Sequence, residues 1–237
     1  NLQSPNFIIG NWMNSQAVED YLKAIYKLQS SQPKVVTSAL AEHLGVNPAS
    51  ATGMIKKLAE SNLVSYERYQ GVKLTPPGEK IALEVIRHHR LVELYLAEAL
   101  SVPWDQVHDE AEKWEHVLSE DLEDRIDEIL GYPTIDPHGA PIPSRDGNIE
   151  QRDTNLLSEL TQGDSAVIIE VSDDDTDLLR YLGKLQLYPQ TIIQIISIAP
   201  FDQLITVRIS PNEDDTNNFV IGQKVAGSIL VSKLEKN

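Results

Sequence analysis

Between Tyr132 and Asn148 the chain carries Pro133, Pro137, Gly139, Pro141, Pro143 and Gly147. Proline removes a backbone donor and fixes φ, and glycine weakens helix and strand alike, so no regular element crosses such a stretch. The fold must therefore be built on either side of it, and the stretch itself reads as an extended linker. Before it, apolar residues recur at helical spacing. After it, short apolar runs alternate with turn residues in a β pattern. A chain of 237 residues is long enough for a core on each side. The expected class is mainly α with a small β domain.

The N-terminal side begins with a helix over residues 17–30. Thr37 then caps a short helix with Leu40, Ala41 and Leu44 inward, and Gly45 ends it. Asn47-Pro48 opens another helix, with Ala51, Met54, Ile55 and Leu58 on the buried side. Helix, tight turn, helix is the helix-turn-helix order. A plain helical hairpin has the same order, but the continuation speaks for DNA. Leu63 to Tyr69 alternates like a strand, Gln70-Gly71 is a turn, and Val72-Lys73-Leu74 returns, which makes a hairpin wing. The candidate DNA contacts are Thr37, Asn47, Ala49, Ser50, Thr52, Lys56, Lys57, Arg68 and Lys73. Small polar groups at a helix start can reach base edges, and lysines and arginines can reach phosphates.

Charge supports this placement. The net formal charge is −16, which by itself argues against nucleic acid. Residues 1–74, however, carry seven Lys/Arg against five Asp/Glu, residues 75–145 six against sixteen, and residues 146–237 seven against fifteen. Only the first segment can approach phosphates without strong repulsion.

Thr75-Pro76-Pro77 opens a long helix that Ser101-Val102-Pro103 ends. The next helix, expected to run to about Ser119, contains His108, Glu112, Glu115 and His116 at i, i+4, i+7 and i+8, one helical stripe. Two imidazoles and two carboxylates on one face suit a divalent ion, and an oxygen-rich set suits Mn²⁺ or Fe²⁺. A solvated acidic face is the plainer alternative. Trp114 and Val117-Leu118 make the helix amphipathic, and His89 and Glu93 form a second His/Glu pair on the long helix. A further helix over 120–130 shows Leu122, Ile126, Ile129 and Leu130 inward. The surplus of apolar helix suggests a dimer interface around Leu91–Leu100 and Leu118–Leu130. Strands are expected over 166–171, 192–198, 204–209, 219–221 and 228–231, with a helix over 176–185, as in a small barrel.

The chain has no cysteine, hence no disulfide and no thiolate site. No apolar run is long enough to span a bilayer and no signal peptide is visible, so the expectation is a cytoplasmic protein without a membrane partner.

Several stretches together resemble the diphtheria toxin repressor and manganese transport regulator family. They are Glu19-Asp20-Tyr21-Leu22, the helix-turn-helix over 37–58, Leu74-Thr75-Pro76-Pro77-Gly78 and His88-His89-Arg90-Leu91-Val92-Glu93. More specific still are His108-Asp109-Glu110-Ala111 with Trp114-Glu115-His116-Val117, and Pro137-His138-Gly139-Ala140-Pro141-Ile142-Pro143. The resemblance implies a winged helix over 1–74, a helical metal-binding and dimerisation domain with the Pro-rich linker over 75–145, and an SH3-like, FeoA-like barrel over 146–237. It implies a homodimeric repressor of metal-ion homeostasis, of manganese uptake by expectation. Such a protein is activated by Mn²⁺, with Fe²⁺ as the alternative, binds double-stranded operator DNA, and is not an enzyme.

The primary metal site implied by the resemblance is Asp20, Glu112, Glu115 and His116. Iron-type members have Met and Cys where this chain has Asp20 and Glu112, and the oxygen pair matches the manganese type. An ancillary site is implied either at His89, Glu93 and His108, or at Glu93, Asp136, His138 and one of Asp173–Asp175, with Asp175 as the candidate. Lys23 stands where short manganese regulators have a carboxylate. Two other readings remain: a metal-independent winged-helix binder, and a metal-dependent hydrolase using the His/Glu helix, which the lack of an HExxH motif disfavours.

Overall fold

A computed structural model describes residues 16–32, 34–67, 70–209 and 218–234. Arg68, a candidate DNA contact, lies outside the described residues. The chain forms two compact units. One takes the chain up to His88 together with Glu115–Val117 and Pro143–Asn148, and the other takes His89–Trp114, Leu118–Ile142 and the rest from Ile149.

The first unit is a winged helix. Helix α1 (Gln16–Ser31) is followed by α2 (Thr37–His43) and α3 (Pro48–Glu60), then by the antiparallel hairpin of β1 (Val64–Glu67) and β2 (Gly71–Leu74). Val18, Tyr21, Leu22, Ala24 and Ile25 of α1 share one core with Leu40, Ala41, Ala51, Ile55, Leu58 and Val72. Leu22, Ile25, Leu40, Ile55 and Leu58 are fully buried. Each such side chain contributes about 1.5–3 kcal/mol, so α1 cannot leave the head without unfolding it. Thr37 is the first residue of α2 rather than its cap, since Val36 holds the cap position without a side-chain bond. Asn47 caps α3, accepting from the Ala49 amide at 2.8 Å, and Pro48 follows at the first turn, where its missing N–H costs nothing.

Helix α4 (Pro76–Leu100) has the expected bounds. Helix α5 (Val107–Trp114) is shorter than expected and ends before Glu115. Residues 115–117 form a turn, and the next helix is α6 (Glu120–Ile129), capped by Ser119. Ser119 accepts from the Leu122 amide at that cap and is itself extended. Leu91, Leu94, Ile126 and Ile142 form one apolar cluster, and Val92, Leu96, Val107 and Ala111 form another. Leu122 and Ile129, expected inward, are exposed, with Ile129 at 69%.

The β half is a six-stranded antiparallel sheet. Its strands are β3 (Asn155–Leu156), β4 (Ser165–Val171), β5 (Ile192–Ile198), β6 (Ile205–Ile209), β7 (Asn218–Ile221) and β8 (Ile229–Lys233), in the order β3-β8-β4-β5-β6-β7. Two helices complete it, α7 (Thr176–Lys184) and the one-turn α8 (Gln223–Ala226). Its core includes Leu157, Ile168, Leu179, Leu182, Leu187, Ile193, Val207 and Val231. Strand β3 and helix α8 are too short to show a period in sequence.

The Pro/Gly stretch is not the extended linker that its composition suggests. Asp136, His138, Ala140 and Ile142 are buried. The Asp136 carboxylate accepts from the His138 amide at 2.8 Å and the Ala140 amide at 2.9 Å, a turn closed by an aspartate side chain. The Val171 amide donates to the His138 carbonyl at 3.0 Å, which joins the turn to β4. Gly139 has φ +89°, and a Cβ there would meet the Ile169 carbonyl at 2.1 Å, so only glycine fits. Proline and glycine here specify one buried turn.

Candidate metal centres

In the first unit, α1 presents Glu19 and Asp20 from its first turn and Lys23 one turn later. The turn after α5 presents Glu115 and His116. The His116 ring lies between carboxylates. Its Nδ1 hydrogen-bonds to Glu19, and its Nε2 lies 2.9 Å from Asp20 Oδ1 and 3.2 Å from Glu115 Oε1. That Nε2 is buried and makes no hydrogen bond among the described residues. His88 of α4 donates from Nδ1 to the Glu115 carbonyl at 3.1 Å and holds the turn in place. The Lys23 ammonium donates to Glu115 Oε2 at 2.6 Å, with both side chains buried. Donor atoms of Asp20, Glu115 and His116 lie within 4.8 Å of one another.

The second unit gathers more imidazole. His89 and Glu93 lie one turn apart on α4, with His89 Nε2 3.0 Å from Glu93 Oε1. His108 of α5 places Nδ1 3.2 Å from Glu93 Oε1, 3.1 Å from His89 Nε2 and 3.5 Å from Asp173 Oδ2. Glu112, also on α5, stands 3.7 Å from both His89 and His108. Asp136 and His138 reach Glu93 from the buried turn, with His138 Nδ1 3.8 Å from Glu93 Oε1. His138 Nε2 donates to the Trp104 carbonyl at 2.8 Å, so in the neutral ring Nδ1 is the lone-pair nitrogen. Arg90 lies 3.5 Å from the Asp136 carboxylate and also donates to the Pro141 carbonyl.

Electrostatics in this cluster follow from burial among like and unlike charges. Burial alone would raise the Glu93 carboxyl, but the His89 charge and the His108, His138 and His89 imidazoles facing it hold it well below the carboxylate range. Burial would lower His108, yet Asp173 and Glu93 raise it to about 10. His138 behaves likewise, raised to about 9 by Glu93 and Asp136 against burial. Asp136 is raised to about 7 by burial and the Glu93 charge, with Arg90 and His138 opposing. Protons on imidazole neutralise Glu93 here. A divalent cation with the same donors would replace them.

The predicted sites are thus rearranged. Glu115 and His116 stand in the turn after α5 beside Asp20 rather than on the helix, while His108 and Glu112 remain on α5 near His89. Of the aspartate run, Asp173 reaches the second cluster. Asp175 caps α7, accepting from the Asp177 and Leu178 amides at 3.0 and 3.1 Å, and so is not the member that joins it. Sequence reasoning misses Glu19 as a partner of His116. Its one signal is adjacency to Asp20, and first-turn acids are common on helices for unrelated reasons. On the DNA side, Ala49, Ser50, Lys56 and Lys57 of α3 and Lys73 of the wing are exposed, and Thr52 is half-buried with its hydroxyl donating to the Pro48 carbonyl.

Residues 13–72 match the model for the iron dependent repressor N-terminal DNA binding domain, and residues 75–144 match the one for the iron dependent repressor metal binding and dimerisation domain. Residues 155–233 match the FeoA domain. The iron-dependent repressor IdeR of Mycobacterium tuberculosis is 31% identical over 192 residues, which cover 75% of this chain and 82% of that protein. The chain belongs to the iron-dependent repressor family. Also similar is the HTH-type transcriptional regulator MntR of Oceanobacillus iheyensis, 38% identical over 51% of this chain and 81% of its own. Among solved structures, a manganese-dependent transcriptional repressor in complex with manganese has 38% identity and a TM-score of 0.83, covering 91% of this chain and 99% of its own. The apo form of the manganese-activated repressor ScaR has 30% identity and a TM-score of 0.77, covering 91% and 100%. Among the described residues of this repressor-family chain, no helix is long and apolar enough to cross a membrane.

Proposed function

We propose that the chain is a Mn²⁺-activated, homodimeric repressor that binds double-stranded operator DNA and regulates metal-ion homeostasis, with manganese uptake as the controlled process. The observation that carries this reading is the His116 ring held among Glu19, Asp20 and Glu115, with its buried Nε2 beside two carboxylates. Asp20 and His116 are far apart in sequence, so the cluster ties α1 to the turn after α5. Fully buried Leu22 and Ile25 lock α1 into the winged helix. Where Asp20 is held, the head carrying α3 is held with it. In a two-fold dimer the separation of two heads must match half-sites spaced by whole helical turns, so immobilising each head raises affinity for one spacing.

A bound divalent ion supplies the positive charge that lets Asp20, Glu115 and His116 approach one another without repulsion. Oxygen-rich donors and the absence of sulfur favour Mn²⁺, while iron-named relatives keep Fe²⁺ in view. Exposed Leu100, Leu122 and Ile129 are the apolar side chains offered to a second copy. The relatives matched are named as repressors and regulators, which supports a role in binding rather than catalysis.

One observation favours metal-independent binding instead: Lys23 already supplies a buried positive charge to Glu115. A binding experiment separates the two. Duplex DNA is selected from random sequence with the full-length protein and Mn²⁺, and anisotropy is then read with and without chelator. Loss of binding in chelator is the expected result. Equal affinity in both would overturn metal activation.

A further inference from the structure

We infer that Glu93 is a bridging carboxylate, and that the cluster around it takes up two divalent cations at once. This rests on the metal-dependent reading above and concerns a different cluster from the one at His116. The donor atoms around Glu93 fall into two groups. Those of His89, Glu93, His108 and Asp173 lie within 4.8 Å of one another, and those of Glu93, Asp136 and His138 form a second such group. Only Glu93 belongs to both. The two sets do not merge into one group at that spacing, so one compact shell does not serve both.

The second group also shows what a cation there would satisfy. Glu93 Oε1 is engaged with His89 and His108 at 3.0 and 3.2 Å. Glu93 Oε2, Asp136 Oδ2 and His138 Nδ1 are buried and make no hydrogen bond among the described residues. Relative exposures are 0% for Glu93, 4% for Asp136 and 1% for His138. Buried polar atoms without a hydrogen bond are costly, and Asp136 Oδ2, which has only the Arg90 charge at 3.5 Å, and His138 Nδ1 beside the Glu93 carboxylate mark a place for a ligand. His138 is oriented for the role, because Trp104 takes its Nε2 proton and leaves Nδ1 to face Glu93. That is the second-sphere arrangement that fixes the tautomer of a metal-binding histidine. Asp136 is oriented through its other oxygen, which holds the turn at the His138 and Ala140 amides.

Neighbouring charge is consistent with two cations. Glu93, Asp136 and Asp173 converge with Glu112 at the margin, and the cation facing Asp136 is Arg90 at 3.5 Å. A carboxylate that offers one oxygen to each of two ions is the usual bridge in two-metal sites, whose ions lie about 3.5–4 Å apart.

The test uses the metal-free full-length protein loaded with Mn²⁺, with bound metal counted after gel filtration and read by electron paramagnetic resonance. Two Mn²⁺ sharing Glu93 are exchange-coupled, so part of the bound metal loses the ordinary six-line signal. His116→Ala, which acts on the other cluster, leaves that coupled signal unchanged. His108→Ala and His138→Ala each lose one ion, and each returns the remaining ion at Glu93 to the six-line form. An uncoupled spectrum from the fully loaded wild type overturns the proposal without any variant. So does a coupled pair that persists in both His108→Ala and His138→Ala. Failure of metal activation itself reads differently: DNA binding indifferent to chelator, whatever the resonance shows at Glu93.

Discussion

The two clusters are made from the same residue types and differ in how the chain brings them together. At His116 the donors come from the first turn of α1 and the turn after α5, and Asp20 keeps a third of its side chain exposed. At Glu93 the donors come from α4, α5, a buried turn and the segment after β4, and Glu93 itself is fully enclosed. The first cluster has a partly open edge and a built-in ammonium in Lys23. The second has imidazoles whose protons serve the same purpose. On the proposed reading, the cluster with the open edge is the one that an ion can enter and leave. An enclosed one changes little in shape, and its cation mainly replaces protons that are already there. On that proposed reading, the switch lies at His116 and the cluster at Glu93 reinforces a folded unit.

The strongest way to break that contrast is Glu93→Ala. Removing one partner of a buried charged group costs about 3–5 kcal/mol, so the metal-free protein is expected to lose that much stability in chemical denaturation. If Glu93→Ala is as stable as wild type, the enclosed cluster is not structural. His116→Ala comes next. It removes one partly buried hydrogen-bonding ring, which costs about 1–3 kcal/mol of metal-free stability, and it should weaken Mn²⁺-dependent DNA binding by more than the roughly 10–100-fold typical of outer-sphere changes. Retained Mn²⁺ response would move the switch elsewhere.

Proton release sharpens the difference further. His108, at about 10, and His138, at about 9, both lie above neutral pH and hold protons there. Metal ligation needs them deprotonated, so Mn²⁺ affinity at Glu93 rises with pH and falls as pH drops. At pH 7, calorimetry in buffers of different ionisation enthalpy should show net proton release from His108, His138 and Asp136 on uptake at Glu93. No release would mean the imidazoles do not ligate. The smallest effect belongs to Asp175→Ala. Loss of a helix cap costs about 1 kcal/mol, and the metal count should not change, whereas Asp173→Ala should weaken metal uptake at Glu93 with little effect on α7.

Part of this arrangement is legible in the chain itself. The bounds of α1, α4 and β5 follow from capping signals and apolar period, because those elements are long or regular enough for local pattern to dominate. The pairing of His89 with Glu93 is local too, one turn apart on a single helix. Helical spacing picks out Glu115 and His116 but puts them on the helix, since spacing shows a period and not where the helix stops. It also places Leu122 and Ile129 inward, but periodicity finds an apolar face without saying whether this chain or another covers it.

By itself, then, the sequence determined the elements, their order and the residue types able to hold a divalent ion, because capping, period and donor chemistry act over a few residues. The tertiary structure decided the grouping. It set Glu115 and His116 in a turn after the helix that carries His108 and Glu112, brought Asp173 rather than Asp175 near His108, and turned a Pro/Gly stretch into a buried turn that carries Asp136 and His138 to Glu93. Those outcomes depend on contacts between residues tens of positions apart, and no local pattern encodes which distant donor will face which.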